Sequence, residues 1–156
     1  MSKLVLGYWN IRGPAAPISY LLHYADVDFE YKQYPIEPAL ESDAPKWEND
    51  KCTLGLDFPS LPYLIDGDVK LTQSLAILRY LARKYKLVGE TEEETTRLEW
   101  TEQQLVDGYT GLAKVAYSGS EYDKNREEYL KNLPAKLELL TKFLGDRKFT
   151  LGDKLT

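Results

Sequence analysis

One stretch, residues 58–74 (FPSLPYLIDGDVKLTQS), constrains the fold of this chain more than any other. Tyr63, Leu64 and Ile65 form a short apolar run bounded by Pro62 and by Asp66-Gly67-Asp68, a tight-turn signal. Val69, Leu71 and the β-branched Thr72 read as the returning strand. Gln73 and Ser74 then open an apolar-periodic segment, LAILRYLARKYK, so they fall where a helix exposes its first backbone N–H groups. Unpaired donors and the helix dipole converge at such an end, which suits a carboxylate or a phosphate. Ser74 also fits a plain cap for its own helix, and the pattern leaves both readings open.

The residues before this hairpin supply the rest of a sheet. Residues 3–8 are an apolar segment of strand type, broken by Arg12-Gly13-Pro14. Pro14 and Pro17 suit the first turn of a helix, where a missing N–H costs little. Ile18, Leu21, Leu22 and Ala25 give that helix one apolar face. Residues 29–34 alternate aromatic with charged or polar side chains, the period of a strand. Strand, helix and strand of this length form a right-handed βαβ unit. A loop with three prolines, residues 35–46, and a short polar stretch, residues 47–52, lead to the hairpin and its helix. The first part of the chain is therefore βαβ followed by ββα.

The second part differs in character. Seven of the eight prolines lie before residue 89, and the remainder is acidic and helix-periodic, which suggests two domains joined over residues 86–90. Thr91-Glu92-Glu93-Glu94 is a capping-box pattern. Leu98, Leu105, Tyr109, Leu112 and Ala116 recur at helical spacing, so one long helix is expected over residues 92–117. A turn at Ser118-Gly119-Ser120 leads to a second helix with the stripe Leu130, Leu133, Leu137, Leu140 and Leu144, ended by Gly145 and interrupted by Pro134, where a kink is expected.

Composition excludes several classes of function. A net charge of −5 argues against nucleic acid, which wants a basic face. No run of about 18 apolar residues exists to cross a membrane. The opening MSKLVLGYW has too short an apolar stretch for a secretory signal, so a cytoplasmic protein is expected. A lone cysteine, Cys52, and a lone histidine, His23, build neither a disulfide nor a zinc site, so no metal is expected.

Polar groups that can act together lie at Tyr8-Trp9, around Trp47 and Lys51, and at Gln73-Ser74. In a βαβ-ββα sheet the first strand can end near the last helix's N-terminus, which would set a phenol beside an anion-holding helix end. A phenol, with a reference pKa of about 10, is no base at neutral pH but donates a hydrogen bond to an anion. On pattern alone, Tyr8 and Trp9 as core-edge aromatics and Lys51 as a solvated charge are the simpler readings at this point.

GYWNIRG at residues 7–13, the Trp47/Lys51 pair, LGLDFPSLPYLIDGDVKLTQS at residues 54–74 and AILRYLARKYKLVGETEEE at residues 76–94 together resemble a mu-class glutathione transferase. The match continues through Asp107, Tyr117 and YLKNLPAKLELLTKFLGDR, and so covers essentially the whole chain. The resemblance implies a thioredoxin-like glutathione-binding domain, residues 1–85, followed by an all-α domain, residues 90–156, here incomplete. It implies Tyr8 as the catalytic residue, whose hydroxyl lowers the pKa of the glutathione thiol. Glutathione would be held by Trp9, Trp47, Lys51, Ser60, Leu61, Pro62, Gln73 and Ser74, with Asp107 reaching from the partner subunit. The Leu61-Pro62 bond would be cis, Gln73 and Ser74 would take the γ-glutamyl carboxylate, and Lys51 the glycyl carboxylate. Trp9, Pro14, Val106, Thr110, Ala113 and Tyr117 would form an apolar pocket for a small hydrophobic electrophile. Read without the family, Val106, Ala113 and Tyr117 are equally core positions of the long helix.

The resemblance further implies a homodimer, with Phe58 as an anchor in the partner and Arg79 facing its symmetry mate. Glutathione enters as co-substrate, and no cofactor is implied. The expected activity is conjugation of glutathione to electrophiles in detoxification; the alternative is a non-catalytic glutathione- or hydrophobic-ligand-binding protein of the same fold. The chain departs from the family pattern at Ala44, Ser60, Asn10, Ser19 and Pro14. Family members also continue with further helices, so the leucine stripes of a fragment would lack cover and expose an apolar patch.

Overall fold

The computed structural model describes residues 3–36 and 46–156; Ala44 lies outside the described residues. The chain divides into two compact units, Met1–Lys86 and Leu87–Thr156.

The first unit is a mixed four-stranded sheet in the order β2-β1-β3-β4. Strand β1 (Leu4–Trp9) is followed by a single 3₁₀ turn, Gly13–Ala15, that takes up Pro14, and by helix α1 (Ala16–Tyr24) with Pro17 in its first turn. The chain returns as β2 (Phe29–Tyr34), parallel to β1, which completes the βαβ unit. The polar stretch forms a four-residue helix, α2 (Trp47–Asp50). The hairpin follows as β3 (Tyr63–Asp66) and β4 (Val69–Thr72), with Gly67 at its tip, and β3 pairs antiparallel with β1. Helix α3 (Ser74–Lys84) closes the unit.

Strand alternation divides the unit's interior in two. Leu4 and Leu6 from β1 and Leu64 from β3 pack with Ile18 and Leu22 of α1 and Ile77 and Leu81 of α3. On the other face Tyr34, Tyr63 and Leu56 are buried, with Trp9, Trp47, Leu54 and Leu61 packed against them. One face is thus aliphatic and roofed by two helices, whereas the other is aromatic and carries α2.

In the second unit, α4 (Glu92–Ala116) runs unbroken through Gly108 and Gly111. The capping box forms as the sequence implies: Glu94 N–H donates to Thr91 Oγ1 at 3.2 Å, and Thr91 N–H donates to Glu94 Oε2 at 3.3 Å. A 3₁₀ turn, Gly119–Glu121, leads to α5 (Tyr122–Leu144), which continues through Pro134 and ends at Gly145 with φ 57°. Arg97 and Trp100, near the start of α4, pack on Phe143, near the end of α5, so the two helices run antiparallel. The segment after α5 folds back onto α4, where Arg97 Nε donates to the Thr150 carbonyl at 3.2 Å.

Helix α5 holds no buried residue. Leu130, Leu137 and Leu144 of its stripe are exposed, and Leu133 and Leu140 are half-buried. No helix among the described residues is long and apolar enough to cross a membrane.

Candidate functional site

Register brings the first unit's polar groups to one end of the sheet. Gly7 lies opposite Tyr63, and Tyr63 lies opposite Thr72. The next residues along each strand are Tyr8 on β1, Pro62 preceding β3, and Gln73-Ser74 following β4. With neighbouring strands spaced by about 4.8 Å, the ends of β1 and β4 are separated by only about 10 Å across β3. The juxtaposition of a phenol and a helix N-terminus follows from strand order alone.

Tyr8 alternates with Leu4 and Leu6 and so belongs to the face roofed by α1 and α3. It is buried, at 6% exposure. Its hydroxyl lies against Gly13, where an added Cβ would come within 2.5 Å of it. Gly13 also has φ +40°, so a glycine is required there for both space and backbone conformation.

At the end of α3 the cap is Gln73, and Ser74 is the first helical residue. No side chain caps this helix, so Ser74 does not serve as its N-cap. Gln73 adopts φ 72°, ψ 109°, a conformation that L residues rarely take and that costs energy unless the surroundings enforce it. The uncapped N–H groups of α3 open at the Tyr8 end of the sheet. The Leu61-Pro62 bond is cis, as the resemblance implies; Pro62 is buried, and Ser60 and Leu61 are half-buried.

The aromatic face has its own structure. Trp47 stacks on Tyr63 with ring centroids 5.9 Å apart and an interplanar angle of 20°, and meets Tyr34 edge-on at 5.7 Å. Trp9 meets Tyr34 edge-on at 6.5 Å. Tyr34 donates to Asp50 Oδ2 at 2.7 Å, and Lys32 Nζ lies 2.7 Å from the same oxygen. The hydrogen bonds from Lys32 and then Tyr34 hold the Asp50 carboxyl below the usual carboxylate range. Burial, reinforced by the Tyr63 and Asp50 hydrogen bonds, pushes the Tyr34 phenol far up, so it stays protonated and remains a donor. Lys51, next along the chain, is half-exposed and pairs with Glu48.

Sequence reasoning identified Trp47 and Lys51 but missed Asp50, Tyr34 and Lys32. The only available signal was the aromatic–charged alternation of β2, which does not reveal that two of its side chains converge on one carboxylate.

Pro14 is half-buried, Arg79 is half-buried on α3, and Phe58 is 77% exposed. In the second unit, Val106 and Ala113 are half-buried on α4, while Asp107, Thr110 and Tyr117 are exposed. Tyr117, at 78% exposure, is not a core position of its helix.

Residues 4–83 match the family of glutathione S-transferase N-terminal domains. The chain is 54% identical over 153 residues to glutathione S-transferase Mu 1 of Oryctolagus cuniculus, spanning 98% of this chain and 70% of that protein. It is 49% identical over 156 residues to a glutathione S-transferase of Dermatophagoides pteronyssinus, spanning 100% of this chain and 71% of that one. Among solved structures, the glutathione S-transferase Blo t 8 superposes with a TM-score of 0.85 at 35% identity, covering 97% of this chain and 70% of that chain.

Proposed function

This chain belongs to the glutathione S-transferases, mu class, and on that premise we propose that it joins the thiolate of glutathione to small hydrophobic electrophiles, as a cytosolic detoxifying homodimer. The observation that carries the reading is the shared sheet end, where the Tyr8 hydroxyl and the uncapped N-terminus of α3 lie two strands apart. The helix end and Ser74 suit the γ-glutamyl carboxylate. Leu61 offers main-chain pairing to the tripeptide in the manner of an added strand. Lys51 suits the glycyl carboxylate through a charge-assisted hydrogen bond, alongside Trp47.

The chemistry then falls to Tyr8. A thiol with pKa about 8.5 is only a few per cent thiolate at neutral pH. A hydroxyl donating to the sulfur stabilises the anion and lowers that pKa, at about 1.4 kcal/mol per unit. The thiolate attacks an electrophilic carbon, forming a C–S bond and expelling a leaving group or taking up a proton. Trp9 follows Tyr8 on β1 and Pro14 follows Gly13 in the 3₁₀ turn, and both offer apolar side chains. Val106, Thr110 and Ala113 on α4 and Tyr117, its C-cap, recur at helical spacing and give a largely apolar strip ending in a phenol that can donate to developing charge. Asp107, on the same helix, is assigned to the partner's glutathione.

Phe58, a large exposed aromatic on a proline-flanked loop, suits an anchor for a two-fold contact, with Arg79 in the same interface. The test is capture on immobilised glutathione, sedimentation of the eluate, and a conjugation assay with a generic aromatic electrophile. Retention, dimer mass and conjugation are expected. Retention without conjugation would favour the ligand-binding alternative, and failure to be retained would refute glutathione binding.

A further inference from the structure

Helix α2 is only four residues long and has no side-chain cap, so it cannot hold its shape by its own hydrogen bonds. What fixes it is a set of groups from two strands on either side of β1. The Asp50 carboxylate receives both the Tyr34 hydroxyl and the Lys32 ammonium on a single oxygen, each at 2.7 Å. Tyr34 Oη also lies 3.1 Å from Tyr63 Oη. Because Tyr34 gives its only proton to Asp50, Tyr63 is the donor in that second bond. The chain of donors therefore runs from Tyr63 to Tyr34 to Asp50.

The same two phenols carry Trp47 on their rings. The Tyr34 hydroxyl, bonded in turn by that of Tyr63, holds residue 50 and the two rings hold residue 47, so α2 is pinned at both ends and Lys51 leaves it with a defined backbone. Gly7 makes this possible. It lies between Lys32 on β2 and Tyr63 on β3, and any side chain there would collide with the Tyr63 ring. Without that gap Tyr63 could not lie over β1 to reach Tyr34.

We propose that Asp50 is a positioning residue for glutathione: through Tyr34, Tyr63 and Lys32 it fixes α2 on the sheet so that Trp47 and Lys51 are set to receive the glycyl carboxylate. This rests on the glutathione-transferase reading and adds residues that do not touch the tripeptide. Asp50 acts on binding, because its partners stand on the aromatic face while Tyr8 belongs to the opposite one.

The test is steady-state kinetics of Asp50→Asn, Tyr34→Phe, Lys51→Ala and the double variant Asp50→Asn/Lys51→Ala. Losing the charged acceptor loosens the Lys51 contact, so Asp50→Asn raises KM for glutathione about tenfold. Maximal kcat and the pKa of the bound thiol stay at wild-type values. Tyr34→Phe removes one hydroxyl and keeps the ring packing; it moves KM in the same direction even where Asp50→Asn folds poorly. The double variant loses less than the sum of the two single losses, a non-additivity that general loosening of the fold does not produce. A wild-type KM in Tyr34→Phe, or full additivity in the double variant, overturns the proposal while leaving the transferase reading intact. A wild-type protein with no saturable dependence on glutathione overturns the transferase reading itself, before any variant is made.

Discussion

Gly13 shows how closely the catalytic assignment depends on a single atom. Its backbone sits at φ +40°, and its missing Cβ leaves room for the Tyr8 hydroxyl. Tyr8 is buried and cannot swing aside to admit a methyl group. We expect Gly13→Ala to cost about 1–2 kcal/mol from backbone strain alone. Displacement of the phenol should lower conjugation further. Chemical denaturation followed by an activity assay on the surviving native fraction separates the two effects. Unchanged stability with full activity would mean that Tyr8 and Gly13 are not in contact.

At the scale of elements, the central hairpin and its helix are joined by Asp66, at the end of β3. Tyr80 donates to its Oδ2 at 2.8 Å, and Lys84 pairs with the same oxygen. Burial works against the Asp66 charge, but the Lys84 and Tyr80 hydrogen bonds outweigh it and leave its pKa lowered, as is that of Asp50. A carboxyl whose folded pKa lies below its unfolded value of about 3.9 stabilises fully above that value. That contribution disappears as pH falls through the depressed folded pKa. Stability should therefore fall steeply below about pH 4, and Asp66→Asn should shallow that fall while lowering stability at neutral pH. Denaturant midpoints measured from pH 7 down to pH 2.5 check this; an acid slope identical in the variant would remove Asp66 from the account.

Legibility in the sequence followed how local each signal was. The Asp66-Gly67-Asp68 turn, the Thr91/Glu94 capping box and the Gly145 helix end depend on neighbours within a few residues, and all three appear in place. The first strand is one residue further along than its apolar run suggests, because Trp9 still pairs with Tyr34. The cap of α3 is Gln73 rather than Ser74, since a strained backbone there leaves no capping role for the serine. The Asp50 network stayed hidden because its bonded pairs, Tyr34 with Asp50 and Tyr34 with Tyr63, lie 16 and 29 residues apart in sequence.

For the whole molecule, strand order gathers the parts of the proposed glutathione site at one end of the first unit's sheet. The phenol stands on the face covered by α1 and α3, and the α2 aromatics stand on the other. In the proposed function the two faces divide the work: one would ionise the sulfur and the other would orient the tripeptide. The second unit adds exposed apolar positions on α4 and α5, among them Leu112 and Leu137 at 54% and 50% exposure. The central claim is that Tyr8 keeps the sulfur of bound glutathione ionised. It is tested most directly by titrating thiolate absorbance of the glutathione complex in wild type and in Tyr8→Phe. Loss of one hydrogen bond to a charged group should raise the bound thiol's pKa by about 1–2 units, with glutathione affinity nearly unchanged. Superimposable titration curves would contradict the claim.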